Sequence, residues 1–322
     1  MKILKKHILL LMTLFIIFSS ASCSKKPQKP SAKSENEPKP LPKVVEEIEK
    51  DALKIMNTAD MVPYFQRVIV EQKNIKEKEK MEKMQMAQEN NQDQKKQEKP
   101  SKDSQQQEEE KPKPKAIEES ILTELLKKEK VTSDENQVEK PPKDIAETWK
   151  KINETIVGIH NKWNVLEPQL TAASVSPDII TEFEETLDSL TKHGIEQNYF
   201  GTMTTANKLT SYLPKFMPYF KKEVPPTVYT LKYLTRNIVL QAAMENYPMC
   251  QENLNQIKEQ GQTLKSNLIE KKAKATADKF DASVINLEKS IAKKDMYLIR
   301  INASIVMKNI MLMMDDLAKS TS

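Results

Sequence analysis

Glycine is almost missing from this chain, with four in 322 residues. A loop that cradles phosphate needs several, because only glycine lets the backbone approach an anion closely in strained conformations. No glycine-rich phosphate loop, no G-x-S-x-G elbow, no H-E-x-x-H helix and no C-x-x-C pair occurs. Nucleotide-driven, hydrolytic and metal-dependent chemistries are therefore disfavoured together. We assign no catalytic residue, no metal ligands and no cofactor. Cysteine is scarcer still: Cys23 and Cys250 are the only two, too few for a disulfide framework. Arginine is rare as well. Of 51 basic residues only Arg67, Arg236 and Arg300 are arginines. Arginine is the usual reader of phosphates and base edges, so the lysine excess does not describe a nucleic-acid surface.

What is present begins with a basic start, Met1-Lys2-Ile3-Leu4-Lys5-Lys6-His7, and an apolar run from Ile8 to Phe18. Small residues then lead into Cys23. The order of basic region, apolar core and small residues is that of a secretory signal. Its 11-residue core is well short of the ~20 residues of a membrane-spanning helix. The tetrapeptide Ser20-Ala21-Ser22-Cys23 resembles the lipobox of bacterial lipoproteins, with Ser20 where that family usually carries leucine. The resemblance implies cleavage before Cys23, lipidation of its sulfur, and an anchor on the outer face of the cell membrane. Two or more acyl chains would hold the protein durably, at ~0.8 kcal/mol per buried CH₂. Cys250 is then left without a disulfide partner. Loss of Lys2, Lys5 and Lys6 with the signal leaves 48 basic and 46 acidic residues, a net charge of +2. That balance gives no argument for nucleic acid as a partner.

The rest divides by composition. Residues 1–22 are the signal, and 23–43, rich in Lys, Pro and Ser, form a disordered tether. Residues 44–88 make an uneven helical segment. A break is expected at Asn57-Thr58, with Asp60 as the cap of a second helix and Pro63 in its first turn. Residues 89–115 carry no apolar side chain but proline, so they cannot offset the entropy of ordering and form a low-complexity linker. Residues 116–130 (AIEESILTELLKKEK) form a short amphipathic helix. It is too short to stand alone and is expected to dock on the bundle domain, 144–318, which it reaches through a second linker, 131–143.

The domain's first helix carries Ile145, Trp149, Ile152, Ile156, Ile159, Trp163, Leu166 and Leu170 at alternating spacings of four and three, an unbroken bundle seam. Ser176 is expected to cap the next helix, with Pro177 in its first turn and Gly194 at its end. The stripe of Cys250, Leu254, Ile257, Leu264 and Leu268 falls out of phase with Phe280, Val284, Leu287 and Ile291, which requires a bend or stutter between Lys271 and Asp278. The last helix is apolar at 14 of the 19 residues from Met296 to Met314. Its polar stripe, Arg300, Ser304, Lys308 and Asp315, is expected to face solvent. The fold class is thus all-α: an antiparallel helical bundle preceded by a disordered low-complexity tether with short helical segments. Around TWKKINETIVGIHNKWN and SIVMKNIMLMM the domain is similar to uncharacterised helical lipoproteins of Gram-positive bacteria, a likeness that implies no activity.

Three residues are candidates for ligand binding. His160 lies beside the first seam, where an imidazole either ligates a metal or haem or bonds locally. Asn302 and Asn309, seven apart, face inward from the last helix. Buried amides need partners, so they either bond across the bundle and fix its register or line a polar pocket. The methionines Met307, Met311, Met313 and Met314 read as core filler. Two functions fit: a non-catalytic binding or interaction module of the cell envelope, attached to the membrane through lipid on Cys23 and facing an envelope protein partner, or a bundle that senses or carries a metal, haem or small molecule.

Overall fold

The computed structural model describes residues 38–92, 119–131, 140–221 and 223–319. Cys23, the signal and all but the last residues of the tether lie outside them, as does nearly all of the 89–115 linker. Among the described residues every regular element is helical: α1 (Lys43–Asp60), α2 (Val62–Gln92), α3 (Thr123–Lys128), α4 (Ile145–Ala172), α5 (Pro177–Ile195), α6 (Tyr199–Thr210), α7 (Leu213–Phe216), α8 (Pro226–Ala243), α9 (Tyr247–Glu270), α10 (Lys274–Ala292) and α11 (Met296–Ala318). The one β-type contact among them is an isolated bridge between Pro40 and Lys221. There the Lys221 N–H donates to the Lys39 carbonyl at 2.8 Å.

The helices close into two rings of four. In the first, α4 packs on α5, α5 on α6, α6 on α1 and α1 back on α4. In the second, α8 packs on α9, α9 on α10, α10 on α11 and α11 back on α8. Contacts of α6 and α7 with α8 join them. The bundle therefore begins at α1 and not at residue 144: Ile48, Ala52, Ile55, Met56 and Ala59 are almost wholly buried. Their spacing of three and four puts one apolar stripe along the helix, and the two alanines let it sit close between α4 and α6.

The seam of α4 is buried from Trp149 to Leu170, with Ile145 packed at its edge. Pro168 lies inside this helix, which continues to Ala172. Trp163 stacks on Phe183 of α5 with ring centroids 4.2 Å apart, and Phe183 meets Tyr212 edge-on at 5.5 Å. The proline-rich aromatic corner after α6 is thus core: Tyr212, Phe216, Phe220 and Tyr229 are all buried.

Register in the second ring is set by facing pairs. Lys258 and Lys265 of α9 bond Glu288 and Asp281 of α10 at 2.6 and 2.8 Å. Between them Phe280 lies directly on Gly261, where an added Cβ would fall 2.5 Å from its ring. The out-of-phase stripes are two helices, α9 and α10, joined by a turn at residues 271–273, so no stutter within one helix is needed.

That turn belongs to a repeated device. Ser174, Gln197, Glu245, Lys272 and Lys294, in five inter-helix turns, and Lys130 after α3 all have φ between 54° and 61°. In each case the next residue donates its N–H five residues back, as Val175 does to Leu170 and Ala273 to Leu268. These are Schellman caps whose left-handed position normally takes glycine. Here every one is filled by a longer residue. Glycine is spent on close packing instead: Gly194 stands at the end of α5 as expected, one residue before its last, and there a Cβ would meet Ile156 and Asn153 of α4 at 2.7 and 2.4 Å. Ser176 precedes α5, but its side chain makes no capping bond.

By length and composition α11 is one helix that could cross a membrane, with a mean hydropathy of 1.2, yet half of its apolar window is buried. It closes the second ring.

Candidate functional site

Residues 119–131, which we call the strap, run over the join between the two rings. The strap packs on α11 and α1. Leu122, Leu125 and Leu126 are spaced to lie on one face of α3 and are almost fully buried; each contributes about 2 kcal/mol. Glu124 in its first turn and Lys127 and Lys128 in its last suit the helix dipole. A helix of six residues is not stable by itself. The bed beneath it supplies the rest.

Leu122 stands where a capping side chain belongs, and it cannot accept a hydrogen bond. The free N–H groups at the start of α3 are taken by Asp60, the last residue of α1. Its carboxylate accepts from the backbone N–H groups of Ile121, Leu122 and Thr123 at 2.6, 3.1 and 2.9 Å, and from the Thr123 hydroxyl at 2.7 Å. Asp60 is completely buried. The sequence pattern makes it the cap of the helix directly after it; instead it caps one 61 to 63 residues further along. Helix α1 runs through the expected break at Asn57-Thr58 and delivers this carboxylate at its end. Tyr199 of α6 hydrogen-bonds to it, and burial, then the Asp60 charge, push the pKa of that phenol up.

All three arginines of the chain hold the strap. Arg67 of α2 grips Glu119 through Nε and Nη2, the second bond at 3.0 Å, and also bonds Glu71. Arg300 of α11 donates to the Ser120 carbonyl. Arg236 of α8 donates from Nη1 to both oxygens of Glu129, at 2.6 and 2.8 Å. Its Nε reaches Asn207 Oδ1 at 2.8 Å and its Nη2 reaches Thr210 Oγ1 at 2.7 Å, both on α6. Arg236 is fully buried. A planar guanidinium can satisfy a carboxylate, an amide and a hydroxyl at once, and it is less costly to dry than an ammonium. Lysine cannot do this, which explains arginine at the buried positions of so lysine-rich a chain. Nearby, the buried pair Lys232–Glu49, 2.8 Å, ties α8 to α1.

Arg300 and Ser304, expected to face solvent, are buried; Lys308 and Asp315 are exposed, as expected. Nothing within α11 itself signals the strap that covers part of its polar stripe.

The sequence-derived ligand candidates sit elsewhere and apart. His160 Nε2 is 2.8 Å from the Thr191 hydroxyl, bridging α4 and α5. Asn302 donates to Ser290 Oγ at 2.7 Å and Asn309 to the Lys279 carbonyl at 3.1 Å, both on α10. The two amides thus span one helix pair, while His160 spans another. Among the described residues no cluster of three or more His, Cys, Asp or Glu is placed to hold a metal ion. Cys250 is buried and donates to the Ile238 carbonyl at 3.4 Å. An open hollow of about 810 Å³ lies between α1, α2 and α4, lined by Asp51, Lys54, Phe65, Lys140, Glu147 and Lys151 among others. It carries charges of both signs, and Asp51 is already paired with Lys162 at 2.5 Å.

Neither motif nor spacing picks out Asp60, Arg67, Arg236 and Arg300 as one site. The legible signal is scarcity: three arginines in a chain that otherwise uses lysine. Comparison with protein-family models, with curated proteins and with solved structures found no match.

Proposed function

We propose that this chain is a lipid-anchored module on the outer face of a bacterial cell membrane, held through Cys23, which acts by binding an envelope protein and not by catalysis. Anchoring rests on the signal-like start and on the likeness of Ser20-Ala21-Ser22-Cys23 to a lipobox. Binding rests on one observation: the bed under the strap holds a short amphipathic helix by its N-terminal amides, two of its carboxylates and its leucines. Apolar anchors on one helical face, set in a groove with polar ends, are the means by which a helical peptide is recognised. The polar groups of His160, Asn302 and Asn309 are engaged between neighbouring helices, so no observation favours the cofactor-carrying reading.

The anchor is tested by mass spectrometry of the mature N-terminus from a membrane fraction. A diacylated or triacylated Cys23 as first residue is expected, and Cys23→Ser should release the chain from the membrane. An unmodified chain that begins elsewhere would overturn the anchor.

A further inference from the structure

We propose that the strap's bed is an exchangeable docking groove, and that its partner in trans is the strap of a second copy of this chain. The proposal deepens the interaction-module reading above and rests on it.

The bed has an apolar floor and two polar ends. At one end Asp60 receives the amides that open α3. At the other Arg236, steadied by Asn207 and Thr210, receives a carboxylate. Arg67 and Arg300 hold the approach to the Asp60 end. Every one of these groups lies outside residues 119–131. None of the contacts depends on which copy supplies the strap.

The occupant is identified by complementarity. It needs acidic side chains ten residues apart, as Glu119 and Glu129 are, with leucines between them on one helical face. The strap of a second copy meets that requirement by identity. Reciprocal exchange fills both beds and leaves no strap over, so the pair closes at two. Chain length fixes its geometry. Residues 132–139 separate the strap from the described chain that resumes at Lys140. Whatever path they take, eight residues reach no further than about 30 Å. The bed that receives a strap must therefore lie within that distance of Lys140 of the chain that supplies it. Copies anchored in one membrane share an orientation and a high local concentration, which favours such a pair.

The experiment uses full chains solubilised in mild detergent. One variant, Leu125→Ser with Glu129→Lys, has a crippled strap and an intact bed. The other, Asp60→Ala with Arg300→Met, has an intact strap and a crippled bed. Each is checked for retained helicity; a scrambled 119–131 segment replaces the first variant, and Asp60→Asn the second, if either unfolds. A labelled synthetic peptide of residues 116–131 should bind the strap-crippled chain at least tenfold more tightly than the wild-type chain, whose bed is filled. Mixing the two variants should give a one-to-one complex by light scattering, absent from either alone and dissolved by excess peptide. Peptide binding without a mixed complex would overturn the second copy as partner and leave a groove for another amphipathic helix with a carboxylate at each end. No peptide binding to a folded strap-crippled chain would overturn the groove itself. Neither failure touches the anchor, which the N-terminal mass measurement reads independently.

Discussion

Arg236 and Glu129 form a two-pronged ion pair at 2.6 and 2.8 Å with both side chains sealed from solvent. They come from opposite sides of the join, α8 below and the strap above. Such a pair is worth little against an apolar replacement, but breaking it strands a charge in a dry site. Glu129→Ala should therefore destabilise by about 3 kcal/mol, the low end for a broken buried pair, since Asn207 and Thr210 still engage the guanidinium. Arg236→Met with Glu129→Leu should recover most of that loss. Urea denaturation of the wild type, Glu129→Ala and the double variant measures it; equal losses for the single and double variants would refute the stranded-charge explanation.

Asp60 makes a separable prediction. It serves three strap amides and one hydroxyl from a wholly buried position. Asp60→Ala leaves those N–H groups unserved, at about 1–3 kcal/mol for each donor that stays dry. The loss should be local. Amide hydrogen exchange at Ile121, Leu122 and Thr123 should rise at least tenfold while the α9–α10 amides keep their protection. Uniform acceleration across both rings would show that Asp60 supports the global fold instead.

These two residues also mark the boundary of what the sequence reveals. Periodicity along α4, α9, α10 and α11 is legible because each helix carries its own apolar stripe. Pairing of Asp60 with Ile121 is not, because capping rules are local and the partner lies 61 residues on. Arg300 misleads for the same reason: a polar stripe on an apolar helix reads as a solvent edge until a separate segment covers it. Gly194 marks the end of α5 as its rarity suggests, but for another reason: the left-handed residue there is Gln197, and what requires glycine at 194 is the approach of Asn153 and Ile156. Helices are written in spacing; the strap and its bed are written in side-chain chemistry across long gaps.

The same rarity of glycine yields a stabilising change. Glu245 occupies the left-handed position after α8 with φ 59°, where a Cβ costs about 1 kcal/mol. Glu245→Gly should raise stability by roughly that amount, less a few tenths for the looser unfolded chain. Thermal melting at matched concentration checks it, and a lower midpoint would count against the cap assignment.

Packing at Gly261 is the converse case. A methyl there would meet the Phe280 ring at 2.5 Å, so Gly261→Ala should cost about 1–3 kcal/mol by overpacking. Phe280→Leu alone should cost a cavity penalty of comparable size. Combined, the smaller ring-side group makes room for the methyl, and the double variant should be less destabilised than the sum of the two. Strict additivity in denaturation would mean that Gly261 and Phe280 do not set the α9–α10 register.

Cys250 gives a pH dependence of defined sign. Burial pushes its thiol up to about 11, whereas an unfolded thiol ionises near ~8.5. Below the unfolded value both states keep the proton, and the contribution of the buried thiol is fully present. As pH rises toward 11 the unfolded chain loses its proton first, so the folded state is penalised. Wild type should thus lose up to about 3 kcal/mol relative to Cys250→Ala between roughly pH 8 and 11. Comparing the two chains cancels the lysines and tyrosines that titrate in the same range. The native thiol should also resist disulfide reagents at about pH 8 and react only on unfolding. A stability gap that stays constant with pH, or rapid native labelling, would place Cys250 in contact with water and contradict its position between α8 and α9.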